Sequence, residues 1–262
     1  MNSKTKISPK HPRAESLRIR RKLLDHFGSG VVAEAGLFAH GRGEAFDYLL
    51  GERTTEVAFK ALEAAAALLL SAKHPVISVN GNAAALVAND IVQLAEIVGA
   101  RIEVNLYYRS LNRELAIQRL LEAAGANHVL GVAGDASMTL PEMQSERRRV
   151  DPQGIGTADV VLIPLEDGDR TEVLVKSGKK VIAIDLNPLS RTARFATMTI
   201  VDNIVRAMPT LVERARELRN QDQTILDHII ANFANSRNLA DTLTLINQRL
   251  SQLAEHANLQ SL

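Results

Sequence analysis

Cysteine is absent from all 262 residues, and with it go disulfides, thiolate nucleophiles, thioester intermediates and iron–sulfur clusters. That absence fits a reducing cytoplasm. An excess of one charge is lacking too: 31 Lys and Arg stand against 30 Asp and Glu, a net charge of +1. No chain-wide basic surface invites nucleic acid, and no acidic tail solvates the chain. An anionic ligand must therefore be held by locally placed groups. No apolar run is long and uncharged enough to span a bilayer, and the polar start MNSKTKISPKHPR has no apolar h-region; the expectation is a protein without signal peptide or membrane span. The 7 histidines show no HxH or HExxH spacing, which leaves zinc without support. The absence of GxxxxGK[ST] excludes an ordinary P-loop. With no repeat or low-complexity linker, the length suits one α/β domain over 1–262, with a helical and loop part at 1–72, a core at 73–203 and helices at 204–262.

What is present is a change of rhythm along the chain. Leu17, Leu23, Leu24 and Phe27 recur near helical spacing among arginines until Gly28-Ser29-Gly30, which predicts a basic helix over 14–27. A mostly apolar stretch, 31–39, leads into a glycine turn at His40-Gly41-Arg42-Gly43 and a short helix over 44–50. Thr54 or Thr55 caps a long helix over 57–72. Short β-branched runs at 76–79, 101–105, 128–132, 159–164, 181–185 and 198–201 then alternate with helical segments over 83–98, 112–124, 171–177 and 190–195, the mark of βαβ units. Several runs are apolar on both faces, as strands covered by helices on both sides must be. The predicted fold class is α/β, a Rossmann-like three-layer sandwich with a mostly parallel sheet, whose ligands bind beyond the carboxyl ends of the strands. After Asn203 the pattern is helical to the end, with a break at Asn235-Ser236-Arg237-Asn238. Leu239, Leu243, Ile246, Leu250 and Leu253 alternate four and three apart, a stripe that serves either a core or a second subunit.

Four clusters sit on predicted ligand-facing turns. Gly41-Arg42-Gly43 sets a guanidinium between residues without a Cβ, so that backbone and arginine can both approach a phosphate. As a dinucleotide fingerprint it fails, because Phe46 stands where the third glycine belongs. Asn80-Gly81-Asn82, between a strand and a helix, can aim main-chain N–H groups and two amides at an anion, or simply cap the helix. Asp185-Leu186-Asn187-Pro188-Leu189-Ser190-Arg191 begins with an acid at a strand end, suited to a ribose, and continues to an arginine suited to phosphate. Glu166-Asp167-Gly168-Asp169-Arg170 offers hard oxygen ligands for Mg²⁺, with Asp167 and Asp169 the candidates, or is a solvated acidic turn. Together these describe a sheet edge suited to a polyanionic nucleotide and a second ligand. They do not specify the reaction.

With those motifs in place, the chain resembles the archaeal phosphopantothenate synthetases, the 4-phosphopantoate–β-alanine ligases, over nearly its whole length. The resemblance rests on AGLFAHGRGEAFDYLLGERT from Ala35, VISVNGNAAALV from Val76, EVNLYYR ending at Arg109, ADVVLIPLEDGDRTE from Ala158, IDLNPLSRTAR from Ile184 and TIVDNIVRAMP from Thr199. It implies a homodimeric, cytoplasmic, ATP-using enzyme that forms an amide on the way to coenzyme A and releases AMP and pyrophosphate. It also implies ATP contacts at Arg20, Arg42, Asp185, Leu186, Asn187, Arg191, Thr192 and Asn203. Arg42 and Arg191 are then the leading electrostatic catalysts, and His40 is a candidate acceptor for the amine proton. For the phosphopantoate side, position at the sheet edge suggests Asn80, Gly81, Asn82 and Arg109. An NAD(P)-dependent oxidoreductase is the enzymatic rival, and a nucleotide-sensing module without turnover the non-enzymatic one.

Overall fold

The computed structural model describes residues 7–255; the first residues of the polar start and the end of the C-terminal helical stretch, 256–262, lie outside that range. In chain order the elements are α1 (Ala14–Phe27), α2 (Glu34–Leu50), α3 (Glu56–Leu70), β1 (Pro75–Val79), α4 (Gly81–Val98), β2 (Arg101–Val104), α5 (Leu111–Ala123), β3 (Val129–Leu130), β4 (Met138–Thr139), β5 (Arg149–Val150), β6 (Val160–Pro164), α6 (Gly168–Lys176), β7 (Lys180–Ile184), α7 (Arg191–Phe195), β8 (Met198–Ile200), α8 (Ile204–Leu218), α9 (Gln223–Ala231) and α10 (Asn235–Glu255). Among the described residues no helix is long and apolar enough to cross a membrane.

The β-branched runs become one parallel sheet in the order β3-β2-β1-β6-β7-β8. Winding reverses between β1 and β6, and that reversal opens a crevice at their carboxyl ends. Alternation sorts the strand residues onto two faces. Ile77, Val79, Ile102, Val104, Leu162, Ile182 and Ile184 join the larger core with α3, α4 and α8. Val76, Val161, Ile163, Val181 and Ala183 join a smaller one with Val173 and Leu174 of α6. Helices thus cover both faces, as the doubly apolar strands require.

Two expectations are corrected. The glycine turn at 40–43 is instead the middle of α2, which runs unbroken from Glu34 to a left-handed cap at Gly51. Each glycine costs a helix about 1 kcal/mol relative to alanine, but α2 is fastened at both ends. Near its start Asn82 Nδ2 donates to Gly36 O at 2.8 Å. Near its finish Asp47 accepts from Arg206 Nη2 at 2.6 Å and Asn203 Nδ2 at 2.8 Å. Tertiary contacts thereby override local propensity. The second correction is the C-terminal part, which breaks at 219–222 and 232–234, while Asn235-Ser236-Arg237-Asn238, expected as the break, opens α10. In α10 the apolar stripe divides: Leu239 and Ile246 are buried with Leu50, Leu186 and Val201, while Leu243 and Leu250 are 37% and 45% exposed. A short antiparallel pair, β4 with β5, was not foreseen at all.

One face of the sheet carries a buried polar ribbon. Ser78 and Glu103 are register partners on β1 and β2. Glu103 is fully buried and accepts from the N–H groups of Asp151 (3.1 Å) and Ile155 (2.6 Å). Burial pushes its carboxyl up to about 7, although those two N–H bonds and the nearby Arg170 pull the other way. The native chain therefore keeps a proton that the unfolded chain loses near its ordinary value of 4.5. The associated stability is complete below that value and is lost as pH rises to about 7, a loss on the order of 3 kcal/mol. Urea midpoints at pH 5 and pH 8 should differ less in Glu103→Gln than in the parent; an equal drop in both would rule out this carboxyl as the source.

Candidate active site

A cavity of about 330 Å³ lies at the crevice between β1 and β6, within the size range of small-molecule sites. Its floor is the start of α4. Asn80 caps that helix by accepting from Ala83 N at 3.0 Å, and its Nδ2 donates to the carbonyls of Pro164 (2.9 Å) and Leu165 (3.0 Å). One amide thus ties the two strands together at the winding reversal. Leu165 holds a left-handed backbone, φ 55°, a conformation that costs a non-glycine residue about 1–3 kcal/mol and persists where surroundings enforce it. A Cβ on Gly81 would collide with Val31 O, so only glycine lets the α1–α2 connection approach the helix start so closely.

The glycine-bearing middle of α2 forms one wall, contributing His40, Arg42 and Gly43. Arg42 is exposed to the cavity mouth and makes no hydrogen bond or ion pair with the described residues; its electrostatic influence falls on Asp185. His40 Nε2 is buried without a hydrogen-bond partner. Burial holds the His40 imidazole below its ordinary pKa, with Arg20 adding to the effect while Glu44 and Asp47 oppose it. At neutral pH it is therefore an unprotonated imidazole. Glu44, also on the wall, accepts from Ser16 Oγ at 2.7 Å and Arg20 Nη2 at 2.6 Å.

Of the other residues singled out in the sequence, Asn80, Gly81, Asn82, Asp167, Leu186 and Asn203 line the same cavity. Asn203 also caps α8, its Oδ1 accepting from Val205 N. Asp185 stands just behind the wall. Its Oδ1 accepts from Asn187 N and its Oδ2 from Ser190 Oγ; burial pushes its carboxyl up while those bonds and Arg42 restrain it. Asn187 in turn accepts from Leu189 N. Arg20 is on α1, bound to Glu44. Thr192 is buried, its hydroxyl donating to Glu166 O at 2.8 Å.

Three placements differ from expectation. Arg191 does not line the cavity: it pairs with Glu172 at 2.9 Å and lies over the Phe195 ring. Arg109 turns into the protein, pairing with Glu114 at 3.0 Å and donating to the carbonyls of Val104, Gly131 and Arg149. Asp167 contacts Arg147 while Asp169 is exposed, and no group of three or more histidine, aspartate or glutamate residues among the described ones is placed to hold a cation.

The arginines that do line that end of the cavity are Arg113 and Arg147, neither foreseen. Arg113 lies in the first turn of α5, three residues beyond the Ser110 cap position, so the helix start delivers it to the rim. Arg147 belongs to a run of three arginines on a single 3-10 turn, residues 146–148, and its immediate neighbour, and only the fold selects which one points inward. Behind Arg147 the polar ribbon ends in Glu166, which contacts both Arg147 and the wholly buried Arg170.

Comparison with known proteins adds identity to geometry. The profile of a family described as phosphopantothenate/pantothenate synthetase matches residues 57–249. A 4-phosphopantoate–beta-alanine ligase of Thermococcus kodakarensis is 50% identical over 250 residues, covering 95% of each chain. One from Methanosarcina mazei is 50% identical over 250 residues, 95% of this chain and 98% of that one. One from Methanospirillum hungatei is 48% identical over 244 residues, 93% and 98%.

Proposed function

The chain belongs to the phosphopantothenate/pantothenate synthetase family, and from that premise we propose how its cavity works as an amide-forming, ATP-dependent ligase. It condenses 4-phosphopantoate with β-alanine, as its relatives' names state of them; those names match neither an oxidoreductase nor a sensor without turnover. The observation that carries the mechanism is the cavity at the winding reversal, whose one wall supplies both a guanidinium without a carboxylate contact and an unprotonated histidine.

A carboxylate resists an amine because its carbon is shielded by charge and oxide is a poor leaving group. In our reading a pantoate carboxylate oxygen attacks the α-phosphorus of ATP, the bond to the β-phosphate oxygen breaks, and pyrophosphate departs. The β-alanine nitrogen then attacks the acyl carbon, the carbon–oxygen bond to AMP breaks, and the surplus amine proton passes to His40 Nε2. Adenylyl transfer depends on positioning and on neutralising oxygen charge. Arg42 supplies that at the mouth, beside the Asp185–Asn187 turn, where the ribose of ATP is placed. Asn203 and Leu186 complete the nucleotide side, with Arg20 behind them through Glu44. Arg191 and Thr192 shape the turn from outside: Thr192 through its hydroxyl, Arg191 through Glu172. Magnesium enters with the nucleotide, as MgATP, with Asp167 the carboxylate that lines the cavity. The same proposal includes a single folded domain, a homodimer and a cytoplasmic setting.

The test is pyrophosphate release with 4-phosphopantoate and ATP, comparing β-alanine with glycine and γ-aminobutyrate and identifying the nucleotide product. β-Alanine should be strongly preferred and AMP formed. ADP with orthophosphate would replace the adenylate by an acyl phosphate, and no turnover with any amine would end the ligase reading.

A further inference from the structure

Beneath the cavity α4 is broken. Val87 stands inside it at φ −140°, ψ 33°, far from the helical pair near −63° and −42°, so the helix bends at this residue. Sharp bends have a short list of causes: proline, glycine or serine, a π-bulge, or a group inserted into the main-chain ladder. Around the bend, Ala83-Ala84-Ala85-Leu86-Val87-Ala88-Asn89-Asp90 includes no proline, glycine or serine. The inserted group is Lys22 of α1, whose Nζ donates to Leu86 O at 2.6 Å. In an unbroken helix that carbonyl would accept from Asp90 N, four residues on. The ammonium also acts on the Asp90 carboxyl, which burial pushes up and Lys22 pulls back down. Local propensity assists the break, because the alanines give way to Val87, Asn89 and Asp90, all weaker helix formers.

The two halves of α4 have different surroundings. Beyond the break, Ile91, Val92, Leu94 and Ala95 are buried in the larger core with Leu211, Val212 and Ala215 of α8, and that packing dictates the axis of 88–98. Before it, Gly81, Asn82 and Leu86 line the cavity, and the fastenings are polar: Asn80 to Pro164 O and Leu165 O, Asn82 to Gly36 O. A straight helix has a single direction, so the core would fix the heading of the cavity floor as well. The bend separates the two. Lys22 reaches it because its neighbours on α1, Ile19 and Leu23, are buried in the same core as Leu86 and Val87.

Resting on the ligase reading above for its kinetic consequence, we propose that Lys22 is a positioning residue: by holding Leu86 O out of the helix ladder it keeps α4 bent at Val87 and sets the direction in which residues 81–86 face the reactants. Lys22 does not itself line the cavity; it acts through a carbonyl. Its effect falls on the alignment of the reactants and not on the hold of any one of them. A misplacement of about 1 Å caused far from the chemistry can cost about 100-fold in rate.

Hydrogen exchange and steady-state kinetics on the full chain decide it, in the parent, Lys22→Met and Lys22→Arg. Methionine keeps the apolar stem without the donor, so Leu86 O returns to Asp90 N, and exchange over 86–90 should slow while 92–98 stays as in the parent. The same variant should lower kcat by about 10- to 100-fold, with KM for ATP and for the acid little changed. Arginine keeps a charge and N–H donors and should restore the parental exchange pattern and most of kcat. If methionine prevents folding, Lys22→Gln, uncharged and one atom shorter, carries both readouts. Unchanged exchange over 86–90 would overturn the proposal by showing a bend that stands without Lys22, and so would a parental kcat once that exchange has slowed. Faster exchange along all of α4, with activity lost in the arginine and methionine variants alike, would overturn it by making Lys22 a structural support only. A parent protein that releases no pyrophosphate with any amine would remove the ligase reading, and the exchange comparison would then decide the positioning role alone.

Discussion

Arg42→Ala is expected to lower kcat/KM by about two to three orders of magnitude, the effect of removing one preorganised charge from a transition state, with the melting temperature within about 2 °C of the parent. The asymmetry follows from the side chain's position. Arg42 is exposed, lines the cavity and has no hydrogen bond or ion pair with the described residues, so truncation costs the fold nothing but helix surface. Charge in an adenylyl transfer grows on the α–β bridging oxygen and on the phosphoryl oxygens, and a fork already in place answers it without reorganisation. Arg42→Lys should recover only part of the rate, because an ammonium lacks the planar pair of donors. Activity assays paired with thermal melts decide the matter: an unfolded alanine variant would make Arg42 structural, and near-parental turnover would remove it from the chemistry.

The second large effect is on stability. Glu166→Gln is expected to lower the unfolding free energy by about 3–5 kcal/mol, the range for stripping one partner from a buried ion pair. Arg170 is wholly buried, and among the described residues its guanidinium has, beyond Glu166, only the hydrogen bond from Nη1 to Ser78 Oγ at 3.0 Å, with Nε and Nη2 unfilled. Without the carboxylate a full positive charge remains buried, softened by Glu103 and Asp167 at a distance. Replacing both members, Glu166→Leu with Arg170→Met, should cost less than Glu166→Gln, since the wholly buried cation is removed and Arg147, which also loses Glu166, keeps Asp167. Urea unfolding of the two variants reads this directly. A loss under about 1 kcal/mol in Glu166→Gln would mean that water reaches Arg170.

The sheet and its switch point were legible in the sequence because strands buried on both faces advertise themselves as short β-branched runs, and because Asn80 and Asp185 stand where those runs end. The middle of α2 was not. Gly41 and Gly43 read locally as a turn, and only the anchors on Asp47 and Gly36, contributed from far along the chain, make the segment helical. Site arginines were half legible for the same reason. Arg42 was found through its glycines. Arg109 was singled out for its place at the sheet edge, yet the chain turns Arg109 inward onto Glu114 and lets the first turn of α5 carry Arg113 to the rim. Among Arg147, Arg148 and Arg149 nothing local distinguishes the buried one; the choice is made by Glu166, a contact across the fold.

The fastening of α2 at both ends has a further consequence. A beam clamped at each support has no hinge, so the wall that carries His40 and Arg42 cannot swing aside as a lid does. The conformational freedom that lidded enzymes surrender when a ligand arrives is surrendered here once, during folding. Discrimination by this wall then rests on its fixed shape and charge.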